Sequence, residues 1–132
     1  MIFIDTGAFI AKYLANDQYH TVAIKRWNKI LDKNKLFTSN HIIDETITLL
    51  MRKTTPIFAV EKAKIFYQTE VFKILRTDMD DELSALKLLE KYKDQEITFT
   101  DCLTAVLMKR YNIKKIFTYD GHFNLFNFEI TN

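Results

Sequence analysis

The stretch MIFIDTGAF, residues 1–9, decides how the fold is read. MIFID is a near-continuous apolar run ending in a carboxylate, the pattern of a strand buried on both faces as in a parallel sheet. Asp5 then stands at the carboxyl end of that strand. Working outward, residues 7–13 (GAFIAKY) and about 20–33 (HTVAIKRWNKILDK) have helical apolar spacing, with Val22, Ile24, Trp27, Ile30 and Leu31 on one face of the second. A short strand is expected at 36–39 (LFTS), and Ser39 or Asn40 can cap a helix over 41–53. Thr55-Pro56 ends that helix and starts another, about 56–69, giving a helical hairpin. VFKILR (71–76) reads as a strand, and DDELSALKLLEKYK (80–93) as an amphipathic helix capped by the Asp78, Asp80 and Asp81 group. TDCLTAVLMKRY (100–111) reads as an almost wholly apolar helix, and KKIFTYD (114–120) and FNFEI (126–130) as two more strands. Five strands joined by long crossovers predict an open, mostly parallel α/β sheet with helices on both faces.

The chain has 132 residues, which predicts one domain over 1–132. Hydrophobic residues at 48% against 27% charged allow a sizeable core and exclude a disordered chain. Two glycines and one proline disfavour a turn-rich all-β architecture. The single cysteine, Cys102, makes no internal disulfide and is expected to be a small core residue. The start lacks a basic segment before a long apolar run, and no stretch approaches the roughly 18 residues that span a bilayer, so a cytoplasmic protein without a membrane partner is expected. A net charge of +2 does not decide the partner.

Chemistry is concentrated in carboxylates. Both glycines follow closely on an aspartate, in Asp5-Thr6-Gly7 and Asp120-Gly121, and both aspartates end a predicted strand. In open α/β sheets ligands bind at such strand ends, where glycine permits tight turns and close approach; helix-capping or turn roles are the bland alternative. Asp101 shares a helical stripe with Ala105 and Met108, so it needs a hydrogen-bonded partner or a cation, although Thr98 and Asp101 also have capping-box spacing. Asp44 and Glu45 both lie off the apolar face of their helix, and periodicity does not choose between them. Four carboxylates with no clustered His or Cys suit Mg²⁺ or Mn²⁺, not zinc. Setting them aside leaves 19 basic against 13 acidic residues, a +6 body around an acidic pocket, which suits a phosphate polymer.

With these residues in hand, the sequence resembles a PIN domain, the metal-dependent ribonuclease fold found in VapC-type toxins of toxin–antitoxin pairs. The likeness runs nearly end to end and rests on IFIDTGAFIA, DETITLL and DQEITFTDCLTAVLMKRYNIKKIFTYDGHF; Asp17 to His20 resembles a D-x-x-H found in one subgroup. The family pattern assigns Asp5, Glu45, Asp101 and Asp120 to the metal, with Thr6 and Thr118 as nearby hydroxyls, and thereby selects Glu45 over Asp44. It departs at Gly121, where many relatives carry a basic residue. The resemblance implies a Rossmann-like sheet of order 3-2-1-4-5, RNA as substrate, and hydrolysis by water activated on Mg²⁺ or Mn²⁺. A cognate antitoxin and a homodimer are the partners to look for.

His20, His41 and His122 are scattered and are expected to pack or cap rather than catalyse. Lys109, Arg110, Lys114 and Lys115 form a basic group open to an RNA contact or a solvated helix end. A haloacid-dehalogenase phosphatase wants a second Asp where Gly7 stands, and a phospho-receiver needs an acidic pair absent here. The remaining rival is a catalytically silent nucleic-acid or protein-binding module on the same fold.

Overall fold

The computed structural model describes residues 1–132. Its strands, β1 (Ile2–Ile4), β2 (Leu36–Ser39), β3 (Phe72–Leu75), β4 (Lys115–Phe117) and β5 (Glu129–Thr131), form one sheet of order β3-β2-β1-β4-β5. Every neighbouring pair is parallel, so the sheet is wholly rather than mostly parallel. Parallel neighbours require crossovers. α1 (Thr6–Tyr13) and α2 (His20–Ile30) lie between β1 and β2, the hairpin α3 (Asn40–Lys53) and α4 (Pro56–Gln68) between β2 and β3, and α5 (Met79–Lys91) and α6 (Phe99–Arg110) between β3 and β4. Every residue of β1 and β2 is buried, so both faces at the sheet's centre are covered. No helix is long and apolar enough to cross a membrane.

Local chemistry sets the helix starts. Ser39 Oγ accepts from the Ile42 N–H, and Thr55 Oγ1 accepts from the Phe58 N–H with Pro56 at the first helical position. Both α5 and α6 open with reciprocal capping boxes, Asp78 with Asp81 and Thr98 with Asp101. Over the core, Phe9 meets the rings of Phe66 and Phe72 edge-on at 4.7 and 5.4 Å. Trp27 Nε1 donates to the Ala8 carbonyl at 3.1 Å and locks α2 onto α1. Cys102 is fully buried, and burial pushes its thiol up to about 11, which makes it inert packing.

Several sequence expectations shift. Val22 is 49% exposed, and the buried stripe of α2 is Ala23, Trp27 and Ile30. The fifth strand begins only at Glu129, because a 3₁₀ turn runs through Gly121–Phe126 and Asn127 takes φ 61° before the chain extends. Neither glycine has a positive φ; Gly121 has open space around it, and a Cβ on Gly7 would make only ordinary contact with Tyr119. Asp5 directly follows β1, whereas Asp120 lies three residues past the end of β4 because the strand stops at Phe117 and not at 120; the backbone makes no demand for glycine beside either.

Candidate active site

Ile4 of β1 pairs in register with Phe117 of β4, and the Asp5 N–H donates to the Phe117 carbonyl at 3.0 Å. Asp5 and Thr118 therefore leave the sheet side by side, at the point where the strand order reverses. Thr118, fully buried, donates from Oγ1 to Asp5 Oδ2 at 2.7 Å and accepts from the Asp120 N–H at 3.0 Å, so one hydroxyl aligns two acids. Burial pushes the Asp5 carboxyl up to about 7; the Thr118 hydroxyl and the Thr6 N–H oppose this, and repulsion from Asp101 and Glu45 adds to it.

Thr118→Val is expected to cost about 1–3 kcal/mol in denaturant unfolding, because it orphans the Asp120 N–H. Removing the hydrogen bond that favours ionised Asp5 should also displace any pH–rate profile toward higher pH. A profile left in place would refute this role for the hydroxyl.

The other acids arrive from separate elements. Asp120 Oδ1 accepts from the His122 N–H at 2.9 Å, and His122 Nδ1 lies 2.9 Å from the same oxygen. Asp101 accepts from the Thr98 N–H through Oδ2 at 3.0 Å and also lines the cleft, so one residue both caps α6 and faces the cleft. Burial raises its carboxyl, opposed by the Thr98 bonds; Asp120 adds repulsion and His122 counters it. On α3, Glu45 is half-buried and reaches the same cleft, whereas Asp44 is exposed and faces an adjoining hollow with His41 and Arg52.

The four carboxylates and Thr6 thus line one cleft of about 580 Å³, with Thr118 beneath Asp5. Sequence reasoning did not single out Lys53, Glu96, Tyr19 and Tyr119, which line it too, and set aside His122, which does as well. The place of His122 two residues after Asp120, within an Asx-type turn, was the available signal. His20 and His41 behave as expected, bonded to the Ala11 carbonyl and to Thr77 Oγ1.

The donor set is all hard oxygen, and Thr6 Oγ1 is buried at the cleft with no hydrogen-bond partner. Both features suit a hydrated hard cation. As the side chains stand, no three acidic, His or Cys groups converge tightly enough to hold an ion. Asp5, Asp101 and Asp120 are each drawn into the protein hydrogen bonds just described, so to hold a cation together these side chains would have to turn away from them.

A parallel sheet of order 3-2-1-4-5 with an acidic cleft at its switch point defines a Rossmann-like α/β domain. The chain belongs to the PIN domain family, which it matches over residues 2–129. It is 31% identical over 128 residues to the 23S rRNA-specific endonuclease VapC20 of Mycobacterium tuberculosis, covering 97% of this chain and 95% of that one. It is 34% identical over 125 residues to a VapC ribonuclease of Archaeoglobus fulgidus, covering 92% of this chain and 78% of the other. The crystal structure of Mycobacterium tuberculosis VapC20, described as a sarcin-ricin loop cleaving toxin, superposes with a TM-score of 0.88 at 29% identity over 97% and 96% of the two chains.

Proposed function

We propose that the chain is a Mg²⁺- or Mn²⁺-dependent endoribonuclease, the toxin of a type II toxin–antitoxin pair. The observation that carries this reading is the gathering of Asp5, Glu45, Asp101 and Asp120 from four separate segments of the chain onto one cleft. The end-to-end likeness to relatives named as VapC ribonucleases supports it. Asp5, Glu45, Asp101 and Asp120 would hold the cation, which when bound supplies an activated water and charge stabilisation at the scissile phosphate. Thr118 orients Asp5, and Thr98 and His122 hold Asp101 and Asp120 at their stations. Lys53 is a lone lysine among the cleft's acids and is placed to meet an incoming phosphate. Loop RNA is the favoured substrate, because its phosphates and bases are accessible to a shallow cleft while a duplex presents mainly regular backbone.

Purified protein should cut loop RNA with Mg²⁺ or Mn²⁺ and leave it intact in chelator. Cleavage that persists in chelator rejects the mechanism, and intact RNA under every condition favours the silent binding module. A cognate antitoxin and self-association belong to the same proposal. Ile57, Val60 and Tyr67 leave exposed apolar surface along α4 for either, and light scattering with and without the product of a short upstream reading frame checks both.

A further inference from the structure

Two tyrosines lie flat against each other at the cleft. The rings of Tyr19 and Tyr119 are 4.2 Å apart and within 3° of parallel, and both residues line the carboxylate cleft. Tyr119 sits between Thr118 and Asp120 in the chain, so its Cα lies about 3.8 Å from the Cα of each. It is half-buried, packed against the Phe117 ring at 5.8 Å and beside Gly7. Tyr19 is 38% exposed.

The segment Asp17–His20 explains why Tyr19 is held there. Asp17 Oδ1 accepts from the Tyr19 N–H at 2.8 Å, and the His20 N–H donates to the Asp17 carbonyl at 3.0 Å. His20 Nδ1 reaches the Ala11 carbonyl at 2.7 Å; a carbonyl only accepts, so that nitrogen carries the proton. The turn is thereby fastened to the end of α1, and its aspartate and histidine hold Tyr19 in place at the cleft. An aromatic ring pinned by its backbone and backed by a second ring loses little freedom when a flat ligand covers its open face.

We infer that Tyr19, backed by Tyr119, is a stacking platform for one nucleobase of the RNA, next to the phosphate to be hydrolysed at the carboxylate cleft. This deepens the ribonuclease reading and rests on it. A base is the flat, apolar group that accompanies every phosphate of the substrate, and stacking tolerates any base because each has a π face. The platform therefore fixes the register of the strand over the acids without dictating sequence.

The test uses the full chain and a short RNA carrying 2-aminopurine at each position around the cut in turn, with cleavage followed in parallel. Wild type and Tyr19→Phe should quench the fluorophore strongly at one position, while Tyr19→Leu, which retains apolar bulk but has no π face, should not. Tyr19→Leu should raise KM about tenfold with kcat little changed, and an abasic residue at that position should raise the wild-type KM equally. Thermal melting of all three proteins checks folding. Cleavage by wild type with no quenched position, or an unchanged KM in Tyr19→Leu, overturns the platform and leaves the nuclease reading standing. Quenching without cleavage upholds the platform and sinks the nuclease reading.

Discussion

Asp5→Asn is expected to lower kcat for RNA cleavage by at least about a hundredfold while leaving the fold intact, read by single-turnover kinetics and circular dichroism. A hundredfold is about 2.7 kcal/mol of transition-state stabilisation, a modest share of what a hard-cation centre supplies. Asparagine is nearly isosteric and still offers an oxygen to the Thr118 hydroxyl, so the packing between β1 and β4 survives. What is lost is one negative charge at the most buried of the four acids. An equal rate in the variant would remove Asp5 from the chemistry.

The same residue makes stability depend on pH and metal. Its carboxyl is raised from 3.8 to about 7 in the native state, so the native state binds the extra proton between those values. Stability from this group is complete below about pH 4 and is lost as pH rises through 7, by roughly 4 kcal/mol over the window. Asp78 runs the other way, held below the usual carboxylate range by the Asp81 N–H. The clean observable is therefore the difference between wild type and Asp5→Asn. Without metal, Asp5→Asn should melt higher than wild type at pH 8, by about 3 °C or more, and the gap should close toward pH 4. Millimolar Mg²⁺ or Mn²⁺ should raise the wild-type melting temperature more at pH 8 than at pH 5, because the cation binds the ionised form. A gap independent of pH, or a metal effect equal at both, would contradict the crowding of charge in the cleft.

The centre of the fold was legible because MIFID carries no polar break, and burial on both faces leaves that mark directly in the sequence. The edge was less so: FNFEI alternates like a strand, but backbone at Phe126 and Asn127 is taken by the 3₁₀ turn and a left-handed residue, which composition does not announce. The strand order came from family resemblance, since pairing between distant segments has no local signature. That Asp5 lines the cleft could be read from a strand end, and Asp120 reaches it three residues past β4, whereas the placing of Glu45 rather than Asp44 in that cleft needed either the family pattern or the three-dimensional structure. Asp101 was ambiguous in the sequence, and in the fold it both caps α6 and lines the cleft. Tyr19, Lys53 and Glu96 come from elements remote in sequence and meet only after folding, so no spacing rule points to them.

The most direct measurement is a crystal structure of the protein with Mn²⁺, with the anomalous signal locating the ion. The account predicts a peak in the cleft, ligated by Asp5 and at least one of Glu45, Asp101 and Asp120 at about 2.0–2.3 Å, and its loss in Asp5→Asn. A cleft without an ion at saturating Mn²⁺, or an ion bound away from these four acids, would contradict it.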